Sequence, residues 1–254
     1  MAAWVLAVAL ALAHLARASS IFTVLLDKQH VPVMMNGREV AKKTAYFGTV
    51  HVGFPSPQSF TAVFDTGSGH LFIPSVDCKE ETCLAHKRYD MAASRSAVAL
   101  HHDGTRANRV LKEDRDQVSI SYGTGEIVGD FVRDIVCIGE SAPTSLKKHP
   151  RTVPSCVRMR TISAREMTNE PFNLFQFDGV LGLGLPALAL DPEFHFFGML
   201  AKKRQIEPIF SFFLSKNDDV RSEIAFGGHD EKRMLGELRY VPVANPEQGY
   251  WRGG

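Results

Sequence analysis

The sequence predicts an all-β fold, a sandwich or barrel of many short strands. Three observations predict it. Short apolar runs recur along the chain, each bounded by Gly or Pro. Turn signals separate them at short intervals, and helical periodicity is confined to one stretch. Of 254 residues, 44% are apolar, enough to bury the core of one large β domain or two small ones.

Taken in order, residues 46–52 alternate loosely and end at Gly53, Pro55 and Pro57. Residues 60–64 and 71–73 are apolar runs between turn residues. Runs at 118–122, 127–128, 131–138 and 157–162 continue the pattern, and 210–214, 223–226 and 238–243 complete it. A helix is expected over 192–204, with Pro192 at its start and Lys202, Lys203 and Arg204 in its last turn, where cations suit the dipole. Residues 101–116 are strongly polar and read as an exposed loop.

The chain opens with an apolar run of about ten residues, too short to cross a bilayer of roughly 30 Å as a helix. Ala16-Arg17-Ala18 supplies a small-x-small cleavage site, so residues 1–18 read as a secretory signal peptide. No later segment is long and apolar enough to cross a membrane. Lys plus Arg number 29 against 28 Asp plus Glu, which gives no reason to expect nucleic acid or an anionic membrane as partner. Residues 19–45 form a mixed basic lead-in. Cys78, Cys83, Cys137 and Cys156 are an even set, which in an oxidising compartment suggests two disulfides; Cys78 and Cys83 are five apart, which suits a small loop. Zinc would need a second matching ligand pair, which the gap from Cys137 to Cys156 does not supply. His101-His102 beside Asp103 reads as polar loop, and Gly182-x-Gly184 lies outside any phosphate-binding motif. No Asn-x-Ser/Thr sequon is present.

The chemistry centres on Phe64-Asp65-Thr66-Gly67-Ser68-Gly69. An apolar strand runs into a carboxylate and then a tight polar turn. A strand end holds the carboxylate rigidly, and hydroxyl and amide donors in such a turn favour its ionised form. Asp-Thr-Gly alone is weak, because Asp-x-Gly is common in turns. Its flanks are specific: Leu71-Phe72-Ile73-Pro74-Ser75, the Cys78/Cys83 pair, Ile120-Ser121-Tyr122-Gly123-Thr124-Gly125, Phe177-Asp178-Gly179-Val180-Leu181-Gly182-Leu183-Gly184, Phe226-Gly227-Gly228 and Tyr250-Trp251. With Tyr46-Phe47-Gly48-Thr49-Val50 at the front, the chain over residues 45–252 resembles the pepsin and cathepsin D family of aspartic endopeptidases.

That resemblance implies a pepsin-like acid protease fold. Residues 46–252 would be the N-terminal lobe of a normally bilobal architecture, with the second lobe absent from this sequence. Asp65 matches the first catalytic aspartate, and Thr66, Gly67 and Ser68 its supporting turn, with Ser68 hydrogen-bonding the carboxylate. Tyr122, Gly123, Thr124 and Gly125 match a flap over the substrate. Asp178 falls in a structural motif. Cys78–Cys83 matches a small disulfide loop, and Cys137–Cys156 would bridge what reads as a long hairpin. No cofactor and no metal are implied; the partners would be a protein or peptide substrate and the missing C-terminal lobe. The compartment would be the secretory pathway, ending outside the cell or in a lysosome- or vacuole-like organelle.

Peptide hydrolysis of this kind uses two close carboxylates sharing a proton, one as general base and one as acid; this is the family that illustrates the principle. Only one such motif is present, because Asp27, Asp77, Asp103 and Asp191 lack the following turn. Three readings are open: a truncated endopeptidase, a single-lobe peptide-binding protein without activity, or a homodimer building its dyad from two Asp65 residues. Departures from the family are Gly69-His70 after the first motif, Phe72 where Trp is common, and a long stretch between Cys83 and Tyr122. Residues 19–45 are short for a full inhibitory pro-segment, and Lys42 and Lys43 read as solvated surface more readily than as counter-charges to the cleft.

Overall fold

A computed structural model describes residues 21–35, 38–140 and 152–254. The signal-peptide reading at 1–18 falls outside them. Among the described residues, eleven strands form one mixed sheet. They are β1 (Phe22–Met35), β2 (Arg38–Val52), β3 (Gln58–Asp65), β4 (Leu71–Pro74), β5 (Val98–Leu100), β6 (Gln117–Tyr122), β7 (Gly125–Ile138), β8 (Cys156–Met167), β9 (Gly179–Gly182), β10 (Phe210–Phe213) and β11 (Ser222–Phe226). Two helices, α1 (Glu81–Leu84) and α2 (Phe196–Lys202), are short. The all-β class is the one expected.

The sheet runs β10-β11-β1-β2-β3-β9-β4-β8-β7-β5, with β6 on β7. A further pairing of β2 with β7, at Val50↔Ile138 through Val52↔Val136, closes six of these strands into a ring. Closure removes the free edges that an open sheet exposes. The pairings β3–β9 and β4–β8 are parallel and the others antiparallel. The ring is filled by Val50, Val52, Phe60, Leu71, Val136 and Leu181, all nearly or fully buried. Fully burying each such side chain contributes roughly 1.5–3 kcal/mol.

Alternation along β3 sets the direction of the aspartate. Phe60, Ala62 and Phe64 point into the core, so Thr61, Val63 and Asp65 take the opposite face. β4 and β9 are buried throughout, because strands and loops cover both faces. Along β6, Val118, Ile120 and Tyr122 share the half-buried side.

The outline departs from the sequence expectation in four places. Of the lead-in at residues 19–45, Phe22–Met35 and the residues from Arg38 onward are built into the sheet: β1 pairs with β11 from Phe22↔Phe226 and with β2 from Asp27↔Phe47. The helix expected over 192–204 spans only Phe196–Lys202, because His195 caps it, its ring accepting the Gly198 amide. Residues 238–243 form no strand; Tyr240 and Val241 are exposed, and Val243 makes an isolated bridge to Gly253. The glycine-rich run at 179–182, read as motif only, is a central strand.

The four cysteines form two bridges. Cys78–Cys83 closes the loop around α1, and Cys137–Cys156 joins directly paired residues of β7 and β8. Asp178 is a structural acid. Its carboxylate accepts the Thr61 amide at 2.8 Å, the Thr61 hydroxyl at 3.1 Å and the Lys87 amide at 2.8 Å.

Candidate active site

Asp65 is the last residue of β3, half-buried on the strand's outward face. Its Oδ1 accepts the Gly67 amide at 2.9 Å, so the turn bends back on its own carboxylate. The sequence pointed to Ser68 for that role. The geometry differs: the Ser68 hydroxyl is buried with no hydrogen-bond partner among the described residues, and the backbone of Gly67 does the holding. Thr66 and Gly67 are exposed at the turn.

Three successive amides brace the turn from beneath. Gly182 donates to the carbonyl of His70 at 2.8 Å, Leu183 to that of Asp65 at 2.6 Å, and Gly184 to that of Ser68 at 2.8 Å. Glycine is required at 182 because a Cβ there would lie 2.5 Å from the Ser68 oxygen and the His70 nitrogen. The Gly184 carbonyl is held in turn by His195 Nε2 at 2.7 Å, and that of Leu183 by the Trp251 indole at 2.8 Å.

Across from the turn, β6 and β7 form a hairpin whose tip is Gly123-Thr124. Gly123 has φ 63°, the left-handed region that glycine adopts freely, and its Cβ position faces open space. Gly125 is pinned: a Cβ there would meet Pro171 at 2.5 Å. Tyr122 packs on Phe72 with ring centres 4.9 Å apart and edge-on to Phe172 at 6.4 Å. Its hydroxyl is buried without a partner among the described residues. Burial, aided by the negative charge of Asp65, pushes the phenol's pKa up, so Tyr122 stays protonated.

The hairpin and the turn enclose a cavity of about 360 Å³, lined by Asp65, Tyr122, Gly123, Thr124, Phe175 and Val180. It adjoins a longer cleft of about 1080 Å³ that Thr66, Thr124, Phe175, Phe177, Phe212 and Leu214 help to line. The structure thus brings Asp65, Tyr122, Gly123 and Thr124 to one space and Thr66 to the cleft that adjoins it, with Gly67 and Ser68 in the turn and Gly125 at the flap's base. The bridges lie elsewhere. Sequence reasoning missed the aromatic wall, although the run Phe172, Phe175, Phe177 carried its signal. Lys43, exposed as expected, also borders both spaces. No group of three or more metal-ligating side chains occurs among the described residues. His101 and His102 both contact Asp116 within their exposed loop.

This geometry agrees with comparisons to known proteins. The family model for eukaryotic aspartyl proteases matches residues 45–253. Cathepsin E-A of Xenopus laevis is 33% identical over 213 residues, covering 82% of this chain and 45% of that protein. Embryonic pepsinogen of Gallus gallus is 33% identical over 211 residues, covering 82% and 46%. Phytepsin of Hordeum vulgare is 34% identical over 214 residues, covering 82% and 36%. The chain therefore spans less than half the length of these relatives.

Proposed function

Because this chain belongs to the eukaryotic aspartyl protease family, we propose that it supplies the Asp65-bearing half of an endopeptidase that hydrolyses peptide bonds of proteins. One observation carries the reading: a carboxylate fixed at a strand end faces a cavity roofed by a glycine-tipped hairpin. The adjoining cleft of about 1080 Å³ has the size and the apolar walls that an extended peptide needs.

In this mechanism Asp65 accepts a proton from water as its oxygen attacks the scissile carbonyl carbon. A second carboxyl group, protonated, donates to the carbonyl oxygen. Collapse of the resulting diol passes a proton to the amine nitrogen as the C–N bond breaks. The second carboxyl belongs to the partner lobe. The Gly123-Thr124 tip closes over the peptide and excludes water. Two disulfides support an oxidising compartment, hence the secretory pathway with an extracellular, lysosomal or vacuolar destination. No helix among the described residues is long and apolar enough to cross a membrane.

The test is hydrolysis of denatured globin at about pH 3–5, where such dyads share a proton. The chain alone should show no turnover. A longer product joining it to a second lobe should turn over, sensitive to a transition-state-like inhibitor, and Asp65→Asn should abolish this. Unchanged turnover in Asp65→Asn would overturn the reading. Inhibitor-sensitive turnover by the chain alone, second order in protein, would mean that two copies build the dyad.

A further inference from the structure

Two buried histidines stand directly behind the Asp65 turn, and peptide hydrolysis uses neither as a reacting group. His70 ends the turn, 7% exposed, with its ring edge-on to Phe194 at 5.4 Å. Its Nε2 accepts the Leu190 amide at 3.0 Å, so that nitrogen carries no proton. The same bond ties the turn to the 188–190 segment, whose backbone would lie 2.5 Å from a Cβ at Gly69. His195 is 4% exposed. Its Nδ1 accepts the Gly198 amide at 3.1 Å, and its Nε2 donates to the Gly184 carbonyl at 2.7 Å. Gly184 in turn donates to Ser68.

We propose that His70 and His195 are positioning residues for Asp65, which work only as neutral imidazoles, so that acid unlocks the catalytic turn. The proposal rests on the reading of Asp65 as the catalytic base. In each ring the nitrogen that a proton would occupy already accepts a backbone N–H. A proton on His70 Nε2 would set N–H against the N–H of Leu190; one on His195 Nδ1 would do so against Gly198 and unseat the first turn of α2. Both rings are almost fully buried, so a new charge on either would be poorly solvated.

His51 is the contrast within the same molecule. It is as buried, but its ring nitrogens meet the Gly139 carbonyl and the Ser59 hydroxyl, both able to accept from an imidazolium. It can gain a proton and keep both bonds.

The charged groups around the two rings reinforce the neutral state or leave it alone. Asp65 heads the turn of His70, and Asp191 and Glu193 follow Leu190. Arg160 lies over Phe194 with its guanidinium carbon 5.7 Å from the ring centre. Burial alone moves His70, lowering its pKa to about 4. His195 is flanked by Asp191 and Glu193 in its own loop and by Lys202 and Lys203 at the end of α2. Burial lowers its pKa first; the bond to Gly184 acts the other way, and the charge of Lys202 lowers it further.

The variant that separates positioning from plain structure is His70→Gln, whose amide oxygen offers an acceptor and does not titrate. In the two-lobed protein, the acid limb of kcat should move down by about one pH unit in His70→Gln, with the plateau kcat above that limb within about threefold of wild type. His70→Leu, without the acceptor, should lose about tenfold in kcat with KM little changed, because Asp65 is misplaced rather than the cleft reshaped. Amide exchange on the chain alone gives a readout free of catalysis: protection at Leu190 should collapse below about pH 4, protection at Gly198 should also fall in acid, and Leu190 should stay protected in His70→Gln. An acid limb and a Leu190 protection profile identical in wild type and His70→Gln would overturn the proposal. Absence of cleavage by every variant, alongside the expected exchange pattern, would overturn the reading of Asp65 and still support acid release of the turn.

Discussion

The carbonyl of Asp65 and the amide of Leu183 meet at 2.6 Å across the parallel pairing of β3 with β9. The aspartate is thus set by a strand far along the chain, at Gly179–Gly182, as much as by its own turn. Gly182→Ala should show this. The added methyl would press on the backbone of Ser68 and His70, which has no flexible end to yield. Stability should fall by about 1–3 kcal/mol, and turnover in the two-lobed protein by more than about tenfold. Urea denaturation and peptide hydrolysis measure the two; full activity would contradict the bracing.

Tyr122→Phe should leave the lobe as stable as wild type or slightly more so. Its hydroxyl is buried without a partner among the described residues, and removing an unsatisfied polar atom relieves a desolvation cost of about 1–3 kcal/mol. Tyr122→Ala should cost about 3–5 kcal/mol, because it strips a ring from Phe72 and Phe172. Thermal melts of both variants decide it; a large loss in Tyr122→Phe would mean that the hydroxyl has a partner in solution.

Asp178→Ala should destabilise by about 2–4 kcal/mol. It leaves the Thr61 amide and hydroxyl and the Lys87 amide without their acceptor in a site 6% exposed. Chemical denaturation measures the loss, and an unchanged midpoint would contradict it.

The two disulfides should contribute unequally. Cys137–Cys156 closes a separation of 19 residues and Cys78–Cys83 one of 5. Loop-closure entropy assigns them about 3 and about 2 kcal/mol. Paired Cys→Ala variants compared by denaturant midpoint test the order; a larger loss at Cys78–Cys83 would reverse it.

Stability should fall as pH falls from about 6.5 to about 4. His70 binds its proton near pH 6.5 when unfolded and only near pH 4 when folded, so in that window the unfolded chain holds the extra proton. The linked loss is on the order of 3 kcal/mol for His70 alone. His51 and His195 are shifted in the same direction, chiefly by burial. Urea midpoints at pH 7 and pH 4 measure the slope, which His70→Gln should flatten.

The turn at Asp65, the Tyr122 hairpin and most of the ring's strands were legible in sequence because each is a local pattern of alternation with glycine at its ends. β1 was not: its first strand partner, β11, lies some two hundred residues away, and Lys28, Gln29 and His30 break its apolar pattern. β9 was hidden because Gly179 and Gly182 read as a turn, although a Cβ at Gly179 would lie 2.1 Å from the Phe72 oxygen. Residues 238–243 have strand composition but pair through an isolated bridge, Val243 to Gly253, and not within the sheet. His70 and His195 look in sequence like any polar residues. Only the folded chain shows which ring nitrogen accepts a backbone amide.

The span between β3 and β9 also bears on synthesis. A ribosome makes the Asp65 turn long before the amides of Gly182, Leu183 and Gly184 exist. Early in translation the turn has its short Gly67 contact but none of its three supports, and β1 waits longer still for β11. Contacts so distant in the chain slow folding and leave apolar strands exposed meanwhile. The nascent chain should therefore be a client of chaperones until at least residue 226 has emerged, and its aspartate cannot be properly set while the polypeptide that makes it is still incomplete.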